Sequence, residues 1–365
     1  MSSGLGMEDP SILSAEDGKV NKDEYLSTIS PRHKPWDVHR GEADEVQQAY
    51  AGGAARHQRY ANRVEQCSQV LEFARDPPER SGKQKYTLKN AWFCRVRHCP
   101  VCQWRRSLMW QAKVYRALPQ LLRDYPDTRF LFMTLTIRNC EVKDLHATLT
   151  LMAQAWKRLT QLRTWPARGW VRAVEITRSI KDRTAHPHYH CLLMVPPTYF
   201  QGDYLKQQEW AELWQQCLRI TYRPVVDIRT VKLDLVQSSQ RVNKPPARMW
   251  EAVAEILKYA VKPSDMIRDH EWFLQLADQL QKTRGVAIGG ILKHYIKERE
   301  RENLTKEPGE EEPKISGEQL FFGWKREVKK YRRVGEYREP KAIGENNELL
   351  THVEAEPRVI SFPIT

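Results

Sequence analysis

The segment Ala185-His186-Pro187-His188-Tyr189-His190-Cys191-Leu192-Leu193-Met194-Val195 constrains the fold more than any other part of the chain. After the proline it reads as a buried β-strand, and strand side chains alternate between two faces. His188 and His190 therefore share one face, and Tyr189 takes the other. Two neutral imidazoles side by side can bind a divalent metal. A metal on a sheet face suits chemistry on a phosphate or a carbonyl.

The surrounding sequence supplies partners for this strand. Phe130 to Ile137, Trp170 to Arg178 and Val225 to Lys232 have the β-branched and aromatic content of strands. A short polar connection joins the second of these to the histidine strand, as in a hairpin. Helical patterns cover about 144–163, 204–218, 248–261 and 264–281. The fold class expected is α+β, an antiparallel sheet with flanking helices, without regular βαβ alternation or internal repeats.

Four regions are expected. Residues 1–55 are polar and without periodicity, which predicts a mobile arm in which Trp36 is a candidate to dock. A basic helical module occupies 56–123; its first helix carries Tyr60, Val64, Cys67, Val70 and Leu71 and is broken at Asp76-Pro77-Pro78. The main domain spans 124–300. Residues 301–365 form a charged tail with an acidic block at Glu310-Glu311-Glu312 and six basic residues between Lys325 and Arg333. Such a tail is either a DNA contact or a solvated appendage.

Seven cysteines are an odd number, and in a reducing compartment they suit metal or free thiols better than disulfides. Cys94, Cys99 and Cys102 supply three thiolates, whereas a tetrahedral structural zinc needs four ligands. Cys67 is the natural fourth; His98 is the rival, disfavoured because it adjoins Cys99. Four thiolates leave no open position, so this zinc is structural. It would present Arg95, Arg97, Arg105 and Arg106 to a phosphate backbone.

A net charge of +13, with 12 Trp and 14 Tyr, favours an anionic partner, and nucleic acid fits both cations and rings. No run of about 18 apolar residues suggests a membrane span. Met1 to Asp17 lacks a secretory pattern, so a cytoplasmic location is expected.

A third ligand for the histidine pair has two candidates on neighbouring strands. Glu175 ranks first, because its strand should pair directly with the histidine strand, and Asp227 second. The later His270, His294 and His352 fall in helical or tail segments. Two imidazoles and one carboxylate suit Mg²⁺ or Mn²⁺. Downstream, Glu255, Tyr259 and Lys262 fall within about 60° of arc on a helix. Val253, Ile256, Leu257 and Ala260 take the opposite side. Taken alone, such a stripe is an ordinary exposed helix face. Beside a metal it offers a tyrosine nucleophile, whose phenol needs a polarised target or a nearby cation, with Glu255 as general base.

Read together, these motifs resemble the rolling-circle replication initiators of small bacterial plasmids, within the HUH endonuclease superfamily. Three motifs stand in the family's order: Phe132-Met133-Thr134-Leu135-Thr136, His186-Pro187-His188-Tyr189-His190, and Glu255-Ile256-Leu257-Lys258-Tyr259-Ala260-Val261-Lys262. The cysteine cluster matches an N-terminal feature of one branch, and the resemblance runs from about Cys67 to about Tyr295. It implies that Tyr259 attacks one origin strand while a metal at His188 and His190 polarises the phosphate. The protein then stays on the 5′ end and the 3′-hydroxyl primes synthesis. Position 263 is proline where some relatives carry a second tyrosine, so a single-tyrosine enzyme is implied, with Glu255 driving hydrolysis at termination. Implied partners are origin DNA, double-stranded and as a single-stranded hairpin, and a host helicase, with self-association compatible. Relaxases carry their tyrosine before the histidines and fit less well. Two alternatives stand beside this reading: a non-catalytic zinc-dependent nucleic-acid-binding protein, and a single-tyrosine HUH transposase.

Overall fold

The structure, a computed structural model, describes residues 25–75, 84–202, 204–231, 247–258, 260–296, 302–305 and 318–334. In chain order the strands are β1 (Val70–Arg75), β2 (Tyr86–Ala91), β3 (Arg129–Thr136), β4 (Gly169–Arg178), β5 (Ala185–Val195), β6 (Val226–Val231), β7 (Val286–Gly290), β8 (Glu318–Lys325) and β9 (Lys330–Val334). The helices are α1 (Leu26–Ile29), α2 (Lys34–Ala51), α3 (Ala55–Gln66), α4 (Pro100–Asp124), α5 (Leu145–Leu159), α6 (Gln207–Leu218), α7 (Ala247–Ile256), α8 (Pro263–Arg268), α9 (His270–Gln279) and α10 (Leu292–Tyr295). Two antiparallel sheets result, with strand orders β6-β3-β5-β4-β7 and β2-β1-β8-β9. The α+β class read from the sequence is the class observed.

The histidine strand β5 lies at the centre of the larger sheet, and both its faces are covered. Tyr189, Cys191 and Leu193 face a core that includes Leu149 and Trp156 of α5 and Trp210 and Trp214 of α6. Leu192 and Met194 face a second core, with Val114, Leu118 and Leu121 of α4 and Met249, Val253 and Ile256 of α7. His188 and His190 continue this second face toward the end of the sheet where α7 stops. The period of two therefore delivers both imidazoles to one spot beneath a helix end.

Three expectations are corrected by the fold. The stretch taken as an arm is helical from Leu26 onward, and Trp36 is fully buried. Its indole packs edge-on against Trp104 at 4.8 Å and against Tyr331 at 6.3 Å. Burying a side chain of that size contributes on the order of 3 kcal/mol. The tail is also part of the body. Strand β8 pairs with β1 over six residue pairs, so 318–334 complete the sheet begun by 70–91; the acidic block at 310–312 lies outside the described residues. Finally, the helix carrying Cys67 ends at Gln66, and Val70 opens a strand rather than another turn.

Helix boundaries near the tyrosine motif shift as well. The helix expected over 248–261 stops at Ile256, because the chain becomes extended and pairs with the sheet edge. Ile176 donates its N–H to Ala260 O at 2.8 Å, and Val261 bridges Ile176 in parallel. The helix expected over 264–281 is two helices, divided at Asp269, whose side chain accepts from Trp272 N and caps α9. No helix of the described residues is long and apolar enough to cross a membrane.

Candidate functional site

Cross-strand register builds the site. Glu175 of β4 and Thr136 of β3 lie directly opposite His188, and Thr134 lies opposite His190. Side chains opposed in this way are about 5 Å apart at Cβ, so a carboxylate easily reaches both imidazoles. Glu175 Oε2 lies 2.9 Å from His188 Nε2 and 2.7 Å from His190 Nε2, and all three residues are buried. Burial works to raise the Glu175 carboxyl, but the contacts from His188, His190 and Lys258 outweigh it and hold the group well below the usual carboxylate range.

The outer nitrogens of both rings are held by neighbouring groups. His188 Nδ1 lies 3.3 Å from the carbonyl oxygen of His186. Both Nε2 atoms face the same Glu175 oxygen, the arrangement of two imidazole ligands and one carboxylate ligand about a single ion. His190 Nδ1 is held 3.2 Å from Thr134 Oγ1. Backbone and hydroxyl partners on the far nitrogen are the usual support of a metal-ligating histidine. Bonds of about 2.1 Å to an octahedral ion put neighbouring ligand atoms roughly 3 Å apart. The donor set fits a divalent ion.

Glu175 is thus in the cluster, and Asp227 is not. Asp227 sits opposite Thr134 on β6, with β3 between it and the histidines, and pairs with Arg229 at 2.7 Å. Lys258 is the cation that sequence reasoning missed. Its Nζ lies 2.9 Å from Glu175 Oε2 and 2.6 Å from Glu255 Oε1. Burial works to lower the Lys258 pKa, yet the two carboxylates hold it above its usual value. Lys262, assigned that place from helical spacing, instead precedes α8 as its N-cap on extended backbone. The helix ends too early for the three-residue stripe to exist. Tyr259 lies outside the described residues; its chain neighbours, Lys258 and Ala260, both contact β4 beside the triad.

Four cysteines form a second centre. Cys67 follows α3, Cys94 follows β2, Cys99 caps α4, and Cys102 lies in its first turn. Cys102 Sγ is 3.6 Å from both Cys67 Sγ and Cys94 Sγ, and the four sulfurs lie within 4.8 Å of one another, all buried and none in a disulfide. Metal–sulfur bonds of about 2.3 Å in a tetrahedron require sulfurs roughly 3.8 Å apart. Burial pushes the Cys99 thiol well above its usual pKa, and contacts with Cys102 and Cys94 do the same for Cys67. Four thiolates at this spacing need a cation. His98 is not a fifth donor: it packs edge-on against Phe273 at 5.9 Å, and burial lowers its pKa to about 3.

The sequence profile of the replication protein family matches residues 85–332, a stretch holding both histidines, Glu175, Tyr259, three of the four cysteines and nearly all of β8–β9. This chain belongs to that family. It is 36% identical to "Protein rep" of Bacillus amyloliquefaciens, across 67% of this chain and 75% of the relative. It is 33% identical to "Protein rep" of Streptococcus pneumoniae, across 66% and 72%. A "Replication protein" of Staphylococcus aureus is 28% identical over 59% of this chain and 95% of its own length. No solved structure gives a significant match. These similarities agree with the resemblance drawn from the motifs, that of a plasmid replication initiator.

The four arginines around the cysteines divide within this family scaffold. Arg105 is fully buried: its Nε donates to Leu304 O at 2.6 Å, and its guanidinium lies 5.2 Å from the Trp36 ring and 5.1 Å from the Trp104 ring. It holds the N-terminal helices to the cysteine module and has no surface to offer a phosphate, contrary to expectation. Arg95, Arg97 and Arg106 line a cavity shared with Lys258. Arg106 is tied to Glu302 at 2.6 Å. Arg97 donates to Thr283 O, and burial together with the Arg106 charge lowers its pKa to about 10.

Proposed function

We propose that this chain is a rolling-circle initiator of the HUH type, which nicks one strand of a plasmid origin through Tyr259. One observation carries the reading: Glu175, His188 and His190 converge beneath Lys258, the residue that precedes Tyr259. Mg²⁺ or Mn²⁺ held by those three side chains would polarise the scissile phosphate. The chain's own residues do the rest. His186 O and Thr134 Oγ1 fix the ring orientations. Tyr259 Oη attacks phosphorus and gives up its proton to water, while the bond to the 3′ oxygen breaks and that oxygen takes a proton from water. A phosphotyrosine at the 5′ end and a 3′-hydroxyl primer result. Lys258, paired with Glu255 and Glu175, would supply the nearby positive charge that a tyrosine nucleophile needs. At termination Glu255 serves as general base for a water, so Glu255→Ala is expected to nick normally and fail to release the finished strand; clean release by that variant removes the role.

The cysteine centre is proposed to hold one structural zinc. Origin DNA, duplex and hairpin, is the proposed substrate. A host helicase acts on the opened strand, and the reaction takes place in the cytoplasm. The test is cleavage of a labelled single-stranded origin oligonucleotide with Mn²⁺ or Mg²⁺. A labelled fragment that migrates with wild-type protein and is absent with Tyr259→Phe is the expected result. Equal cleavage by both proteins sinks the tyrosine mechanism.

A further inference from the structure

A cavity of about 350 Å³ opens between α4 and the segment that leads to Tyr259. Sites for small ligands run from about 300 to 1,000 Å³. One wall is a stripe of α4 made of Gln103, Arg106, Ser107 and Trp110, spaced i, i+3, i+4, i+7. On a helix facing the protein, that stripe is normally apolar; here three of its four members are polar. The other walls include Lys258 and Gly285.

We infer that this cavity is a nucleotide pocket, which takes one unstacked base of the DNA strand beside the scissile phosphate and lays it against Trp110. The inference rests on the DNA-nicking reading above and assigns that site a subsite. Three observations support it. Gln103 is 7% exposed and lines the cavity, yet its Nε2 has no hydrogen-bond partner among the described residues. A buried amide left unpaired costs roughly 1–3 kcal/mol, and the edge of a base supplies both donors and acceptors to such a group. Arg97 is partly buried beside Arg106 and, among the described residues, has no carboxylate partner. Arg106 is already tied to Glu302, so a phosphate at the mouth would offset the charge of Arg97. Gly285 completes the opening: a Cβ built there meets no atom within 4 Å, so the wall is open on that side.

The arrangement also gives the cysteine module a task. The module carries the start of α4, and thus Gln103 and Arg106, to the lip of the active site. It does not hold DNA at a distance from the chemistry; it forms one side of the pocket beside Lys258.

The test uses the full chain without divalent ions, so that it reports on the pocket whether or not the protein nicks. Fluorescence anisotropy measures binding of a dT 12-mer and of an abasic 12-mer carrying the same phosphates. Stacking of one base is worth about 1–3 kcal/mol, a preference of roughly 5- to 150-fold for dT. Trp110→Leu, which keeps apolar volume, is expected to cut that preference at least about fivefold while abasic binding stays unchanged. Gly285→Leu, which grows into open space without displacing the fold, is expected to do the same. Arg97→Gln should weaken both oligonucleotides by one common factor. Wild-type preference retained by folded Trp110→Leu and Gly285→Leu overturns the pocket, as does equal wild-type affinity for the two probes. Pocket-dependent preference in a protein that never nicks would retire the nicking reading and leave the pocket standing.

Discussion

Replacing Glu175 with glutamine separates a metal site from a structural hydrogen-bond cluster. The carboxylate oxygen Oε2 faces His188 Nε2, His190 Nε2 and Lys258 Nζ, each within 2.9 Å. Glutamine keeps the shape and removes the charge, and an amide is a poor ligand for a divalent ion where a carboxylate is a good one. In metal-free protein the contacts that hold the buried carboxylate charged, from His188, His190 and Lys258, are weakened. Metal-free stability is therefore expected to fall by about 1–3 kcal/mol, the worth of hydrogen bonds to a buried charged group. The metal response is different. An ion at a hundred times its dissociation constant stabilises the folded state by about 2.7 kcal/mol, which for a chain of this size raises the melting temperature by roughly 3–4 °C. Thermal melts with and without Mn²⁺, on protein dialysed against metal-free buffer at neutral pH, measure both effects. Wild type should shift and Glu175→Gln should not. A metal-free loss above about 3 kcal/mol in the variant, with the Mn²⁺ shift intact, refutes the reasoning and makes the triad structural.

Other consequences are equally direct. Metal analysis of native protein should find one zinc per chain, and Cys102→Ser, which removes the sulfur 3.6 Å from two others, should lose it and destabilise the fold by more than about 4 kcal/mol; a zinc-free native protein contradicts the centre. Arg106→Gln should reduce the slope of log affinity for DNA against log salt by about 1, whereas Arg105→Met should lower the melting temperature and leave that slope unchanged. An altered slope in the Arg105 variant would return that residue to the DNA. His33 is held neutral, chiefly by burial and then by Arg32 and Arg105, with a pKa of about 3. Below pH 6.5 the unfolded chain binds a proton that the folded chain refuses, so stability falls by about 1.4 kcal/mol per pH unit from 6.5 toward 3. The gap between urea midpoints at pH 7 and 5 should narrow in His33→Gln, with His98, also lowered to about 3, supplying part of the remainder; an unchanged gap removes His33 as a cause.

Four of the five strands of the larger sheet, and the triad, were legible because their signals are local; β7 was not read from the sequence. Alternation in Ala185–Val195 fixes which face both histidines take, and a short connection makes β4 the neighbour that supplies Glu175. Asp227 stayed in contention only because sequence does not say that β3 separates β6 from β5. The N-terminal helix and the final hairpin were missed for a physical reason. Buried polar residues of α2 find their partners almost three hundred positions away: Asp44 accepts from Trp324 Nε1 at 2.9 Å, and Asp37 from Tyr331 N at 3.0 Å. Each segment alone looks like solvated chain, and only their pairing makes a core. Lys258 was overlooked because an ideal helix through residue 262 aims Lys262 at the tyrosine's face. The pairing of Ala260 and Val261 with Ile176 ends that helix and leaves Lys258 over the triad.

The most direct measurement of the central claim is the mass of the covalent product. Protein incubated with a single-stranded origin oligonucleotide and Mn²⁺, then digested with nuclease and protease, should yield a peptide containing Tyr259 that carries a 5′-phosphonucleotide. A nucleotide on any other residue, or cleavage that leaves only a free 5′-phosphate, would contradict the account.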